Sequence, residues 1–239
     1  MNPFAIVLLV FMGLAPSFSW LSLYLKKDLH PEPRYLVAQT FILGMISAPF
    51  VIFFQVIFPF IFHINSSGPF SDSLSFFLWA AFVEEFFKFA VIWLFIIKNR
   101  EFDEPIDAMI YMIVAGLGFA AMENILFMFK AFPDGVQSTL SIWALRFVGA
   151  TFLHALSAAI TGYFIAMAWF FHHHAYKLIF LGLALATFFH FIFNLFIIQS
   201  STNKPAILYS FIFLIIFSFL VSVLFRKIWE RQVKVAPDS

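Results

Sequence analysis

The chain has 239 residues; 63% are hydrophobic, 11% are charged, and the formal net charge is +1. A soluble globular domain is about 45–50% apolar and about 25% charged, so the composition excludes an ordinary soluble fold and points to an all-α, polytopic transmembrane bundle. The lack of cysteine excludes disulfides and thiol chemistry, and no basic stripe with interleaved aromatics offers itself to a nucleic acid.

Seven apolar segments follow in chain order, at about Phe4–Leu25, Val37–Phe62, Leu74–Ile97, Ile106–Phe129, Ile142–Phe171, Leu178–Gln199 and Ile207–Phe225. Each is long enough to cross a bilayer. No Lys or Arg precedes the first, which therefore reads as a retained helix and not as a cleaved signal. The segments are read as one membrane domain over residues 1–239. An odd number of crossings puts the termini on opposite sides. Lys26, Lys27, Arg34, Lys98, Arg100, Lys177, Arg226, Lys227, Arg231 and Lys234 fall on one side, and only Lys130 and Lys204 on the other. The positive-inside rule then predicts an N-terminus outside and a cytoplasmic C-terminus, with residues 226–239 as a short cytoplasmic tail. The loop His63–Ser73, which carries the short glycosylation pattern Asn65-Ser66-Ser67, is expected outside. The acidic loop Asn99–Asp107 is expected in the cytoplasm.

The third segment breaks its own apolar pattern at Glu84, Glu85 and Lys88. A charged residue at membrane depth costs about 2.5–3.5 kcal/mol on insertion scales, so these three are predicted to face a protein interior or a water-filled cavity. Three later segments also carry polar groups at depth: Glu123 and Asn124, then His154, Ser157 and Thr161, then His190 and Asn194. Glu84 and Lys88 are four apart and share a helical face, whereas Glu84 and Glu85 point about 100° apart and are suited to different jobs. With the predicted topology these groups fall in one layer in the outer half of the membrane. Small residues at Gly116, Ala120, Ala158, Gly162 and Ala166 allow close helix approach around them. Three carboxylates against Lys88 form a coupled set suited to general acid–base work. Arg146 reads as an interfacial residue near a helix end, Trp20 and Trp229 as interfacial anchors, and His172-His173-His174 as a solvated helix boundary.

Glu84-Glu85-Phe86-Phe87-Lys88 resembles the Glu-Glu-x-x-Lys motif of the PrsW family of intramembrane glutamic proteases, within the CAAX protease/Abi superfamily. Phe119-x-x-x-Glu123-Asn124 resembles its second motif, and His154 and His190-x-x-x-Asn194 the later ones. The loop with Asp28 and Pro31-Glu32-Pro33 is similar to the family's first cytoplasmic loop. Lys88 and Glu123 depart from the prenyl-protein endopeptidases, where Arg and His are usual. The resemblance implies a multi-pass protein of the bacterial cytoplasmic membrane. It implies an endopeptidase acting on a membrane protein near the extracytoplasmic side, in some members by site-1 cleavage of an anti-sigma factor. Glu84 would activate water, with Glu85 balanced by Lys88 and Glu123 sharing a proton or holding the water. His190 and Asn194 would stabilise the oxyanion, and His154 would act as acid toward the leaving amine. No metal or other cofactor is required by this scheme. A zinc-dependent variant, using two His and a Glu, is one alternative. A His/Glu proton-relay transporter and a non-catalytic membrane scaffold are others.

Overall fold

The computed structural model describes residues 2–27, 31–61, 74–200 and 203–235. Asp28 and the loop His63–Ser73, with its Asn65-Ser66-Ser67 pattern, lie outside those residues. Among the described residues every regular element is helical. In order they are α1 (Pro3–Tyr24), α2 (Arg34–Ile61), α3 (Leu74–Val91, continued by a π-helical turn Ile92–Ile96), α4 (Asp107–Ala131), α5 (Val136–Leu145), a π-helical turn Arg146–Ala150, α6 (Thr151–Phe170), α7 (Ala175–Ser200) and α8 (Ala206–Val235). The run α5–π–α6 is continuous from Val136 to Phe170. The eight α-helices therefore make seven rods, as the seven apolar segments predict. Residues 226–235 continue α8.

Local chemistry sets several ends. The Asn2 side chain accepts the Ala5 amide at 2.8 Å, and Pro3 opens α1 without wasting a donor. Gly135 turns the chain between α4 and α5 at φ 97°, a backbone region that glycine enters without steric cost.

Six rods are apolar and long enough to cross a membrane by length and composition. The seventh, α3, carries Glu84, Glu85 and Lys88, and its burial explains why it can still join the bundle. All three side chains are turned inward, at 6%, 0% and 0% exposure. The bundle is layered. In an 18-residue apolar stretch of α4 67% of the residues are buried and in one of α5–α6 72%, against 22–33% in the corresponding stretches of the other four. Helices α4 and α6 thus form the core pair, and the remaining rods surround them with one face toward lipid. Gly116 is what lets the core pair close: a Cβ there would lie 2.8 Å from the His154 carbonyl oxygen and 2.9 Å from Ala158 Cβ. At the other end of the same contact, a Cβ on Gly162 would lie 2.6 Å from the Ala108 carbonyl oxygen.

Candidate active site

The site is built where α3 and α7 meet the core pair. Lys88 sits one turn below Glu85, and its ammonium donates to Glu85 Oε1 at 2.7 Å with both groups fully buried. The same oxygen accepts Ser157 Oγ at 2.9 Å from α6 and is 2.7 Å from His190 Nδ1 on α7. Three donors converge on one oxygen, so Glu85 acts as an acceptor that ties α3, α6 and α7 together.

The protonation pattern of both histidines follows from their partners. An ammonium can only donate, and Lys88 Nζ lies 2.8 Å from His154 Nδ1. That nitrogen therefore accepts. His154 Nε2 then carries the ring proton and donates to Glu123 Oε2 at 2.9 Å. Glu123 is held by a second donor, Arg146 Nη2 at 2.6 Å. For His190, Nδ1 donates to Glu85, which leaves Nε2 as the lone-pair nitrogen.

Both glutamates leave a buried Oε2 without a hydrogen-bond partner, and Glu84 differs from Glu85 in what that oxygen faces. Its Oε1 accepts Gln55 Nε2 from α2 at 3.0 Å. Its buried Oε2 has no hydrogen-bond partner and faces His190 Nε2 at 3.5 Å and His154 Nδ1 at 4.0 Å. A carboxylate oxygen in a buried setting, aimed at two imidazole nitrogens, costs solvation unless a polar species sits between them. Lys88 also lies over the Phe119 ring, 5.0 Å from its centroid, and the His154 and His190 rings meet edge to face. On the side of α4 the Phe119 ring thus covers Lys88.

A model of the PrsW family, described as intramembrane metalloproteases, matches residues 32–223. The chain belongs to the PrsW family. It is 32% identical over 164 residues to Protease PrsW of Geobacillus kaustophilus, covering 68% of this chain and 67% of that one. It is 31% identical over 203 residues to Protease PrsW of Oceanobacillus iheyensis, covering 85% and 88%. With Protease PrsW of Bacillus subtilis it shares 30% identity over 159 residues, covering 66% and 67%. No solved structure matches the chain. This PrsW family member is an intramembrane peptidase and a multi-pass protein of a bacterial membrane.

The family description raises the question of a metal, and the donor chemistry here fits one. Glu84, His154 and His190 each offer one donor atom, and these lie within 4.8 Å of one another. Two tetrahedral zinc ligands lie roughly 3.4 Å apart at ligand distances of about 2.0–2.2 Å. The Glu84–His190 separation of 3.5 Å matches, and the Glu84–His154 separation of 4.0 Å has to shorten. Each histidine already donates its far N–H to a carboxylate, His154 to Glu123 and His190 to Glu85, which is the outer-shell arrangement of metal-bound histidines. Lys88 must leave His154 Nδ1 for that nitrogen to serve as a ligand.

Of the residues singled out from the sequence, Glu84, Glu85, Lys88, Glu123, His154 and His190 form one connected cluster. Asn194, half-buried one turn beyond His190, joins none of its hydrogen bonds. The interfacial reading of Arg146 is corrected. Its side chain is only 13% exposed, bonds Glu123 and Asn124 (Nε to Oδ1, 2.7 Å), and lies 4.0 Å from the Phe127 ring centroid. The π-helical turn that begins at Arg146 alters the helical phase that a 3.6-residue period assumes. The Trp20 indole donates to the Phe147 carbonyl at 2.9 Å and stacks on Phe152. Gln55 and Ser157 were given no role by sequence reasoning. The signal for Gln55 was a lone amide in the apolar run Val51–Phe60, a group that needs a partner at membrane depth. For Ser157 it was the three-residue spacing from His154.

Proposed function

We propose that this PrsW family member hydrolyses a peptide bond of a membrane-anchored protein with a water activated at Glu84. The observation that carries the reading is the buried, unpartnered Oε2 of Glu84, facing His190 Nε2 and His154 Nδ1. Water placed there gives its proton to Glu84 as its oxygen bonds the scissile carbonyl carbon. Gln55, bonded to the other oxygen, holds the carboxylate in the orientation that leaves Oε2 open. Collapse of the tetrahedral adduct breaks the C–N bond, and the proton passes to the leaving amine from Glu84 or through His154, which Lys88 backs as a donor. His190, in its protonated form, and Asn194 are the donors offered to the oxyanion. Glu85 and Glu123 hold Lys88 and the two rings in place. The ten-to-two bias of Lys and Arg supports an N-terminus outside and a cytoplasmic C-terminus, which puts cleavage toward the extracytoplasmic side. A membrane-bound anti-sigma factor is a substrate of the proposed kind.

The test is a comparison of membrane-protein fragments in cells carrying the chain or its Glu84→Gln, Glu85→Gln variant. The reading expects fragments that vanish in the variant, and identical fragment patterns would overturn it.

The three converging donor atoms favour a second reading, in which Glu84, His154 and His190 hold a divalent metal. Such an ion would supply Lewis acidity and a more acidic bound water. The chain's own residues would then orient the ligands through Glu85 and Glu123. Metal analysis of the purified protein, with activity before and after exhaustive chelation, separates the two readings. Activity that falls on chelation and returns with one added metal supports the second.

A further inference from the structure

Beside the cluster lies a lateral groove of about 470 Å³. Its walls are the stretches of α3 and α7 that lead into the site: Leu78, Trp79 and Phe82 on one side, and Leu183, Ala184 and Thr187 on the other. Phe82 is two residues before Glu84, and Thr187 is one turn before His190. Leu78 is 46% and Phe82 38% exposed, so in a bilayer the groove opens to lipid.

The lining is apolar except for two hydroxyl residues, Ser75 at its far end and Thr187 near the cluster. Thr187 is buried at 6% exposure, and its hydroxyl has no hydrogen-bond partner. A threonine in a helix ordinarily bonds back to the carbonyl four residues earlier, and this one does not. An orphaned hydroxyl in such a setting costs about 1–3 kcal/mol; the oxygen is covered at the groove wall, and a turn of the Thr187 side chain to another staggered rotamer brings it to a chain bound there. A lipid acyl chain has no hydrogen-bonding group, and a helical transmembrane segment spends its backbone groups internally. An unwound peptide presents free N–H and C=O groups and apolar side chains together.

We propose that this groove binds the unwound apolar segment of the substrate that adjoins the scissile bond, with the Thr187 hydroxyl bonding its backbone. The inference rests on the protease reading above and adds where the membrane-embedded part of the substrate lies. The walls run over eight residues of each helix, Ser75 to Phe82 and Phe180 to Thr187, or roughly 10 Å over the seven steps at 1.5 Å each. An extended chain covers about three residues in that length. The groove therefore selects about three consecutive residues on one side of the cut.

The test uses the full chain in cells, with the fragments that depend on Glu84 as readout. Ala184→Trp fills the groove from an exposed position and should lower their yield at least tenfold. Phe219→Trp, on the lipid face of α8, should leave it unchanged. Thr187→Val should lower the yield several-fold and Thr187→Ser should restore it, with the amount of folded protein in the membrane constant. A purely structural hydroxyl predicts the opposite, because replacing an unsatisfied buried group by a methyl is neutral or stabilising. In the Glu84→Gln background, a photo-crosslinking residue at Leu183 should capture the same proteins whose fragments depend on Glu84, and one at Phe219 should not. Crosslinks from Leu183 to lipid alone would overturn the groove assignment, as would undiminished cleavage by Ala184→Trp and Thr187→Val. Both results leave the protease reading standing. That reading falls, and the groove with it, if wild type and Glu84→Gln yield the same fragments.

Discussion

Two buried polar clusters stand at different levels of the α4 helix, and they are finished to different degrees. Near its N-terminus Asp107 Oδ2 accepts the backbone amides of Asp103 and Glu104 at 3.0 and 2.8 Å, and Tyr111 donates to Glu32 in the loop before α2. No side-chain oxygen of Asp107, Tyr111 or Glu32 is buried without a partner. Farther along, around Glu123, the cluster is equally well connected but leaves Oε2 of both Glu84 and Glu85 buried and open. The first cluster fastens loops to a helix. The second keeps acceptor capacity in reserve, which folding alone has no reason to do. The two differ in what remains unmade, and that is the physical mark separating a chemical site from a clasp.

The sharpest way to break this contrast is to remove the open acceptor. Glu84→Gln should lower cleavage by about 10²–10⁴-fold, the range of general acid–base catalysis, while thermal unfolding in detergent shifts little. A variant with near-normal turnover would erase the distinction between the clusters. Glu85→Gln should behave differently. It leaves the Lys88 ammonium buried without its charge partner, at a cost of about 3–5 kcal/mol, so a lowered unfolding temperature should accompany the loss of activity. Asp107→Ala tests the clasp. Orphaning two loop amides should cost about 1–3 kcal/mol, with turnover per folded molecule nearly intact. Gln55→Leu is the mildest. It removes one hydrogen bond, so stability should change by only about 0.5–1.5 kcal/mol, yet kcat should fall about tenfold with KM unchanged, because Glu84 loses the group that orients it. Equal falls in stability and activity would make Gln55 structural.

Most of the cluster was legible in the sequence because charge in an apolar span is costly and so stands out. Glu84, Glu85, Lys88, Glu123, His154 and His190 were found on that ground, and seven apolar segments became seven rods. Helical phase also separated Glu84 from Glu85 in advance, and the structure gives the contrast content: Glu85 collects three donors on one oxygen, and the open oxygen of Glu84 faces two imidazole nitrogens. Other parts were hidden for identifiable reasons. The π-helical turn at Arg146 alters the phase on which facing residues are predicted, so a residue assigned to the interface became the partner of Glu123. Gln55 and Ser157 each signal that a buried polar group needs a partner, but an uncharged side chain does not say which group that partner is. Which nitrogen of each histidine faces Glu84 depends on three-dimensional neighbours that no spacing encodes.

The layering of the bundle has a further consequence. Glu123 and His154 ride on the buried α4–α6 pair, whereas Glu84, Glu85, Lys88 and His190 ride on α3 and α7, whose outer faces carry exposed residues such as Phe86 and Phe188. In the proposed site the reacting geometry is therefore half anchored in protein and half carried on helices with outward-facing exposed residues. A hydrophobic helix adjusts its tilt to the thickness of the bilayer around it. A change in lipid composition that tilts α3 or α7 is then expected to reach the Glu84–His190 separation before it disturbs the core, which would make the membrane one of the walls of the proposed site.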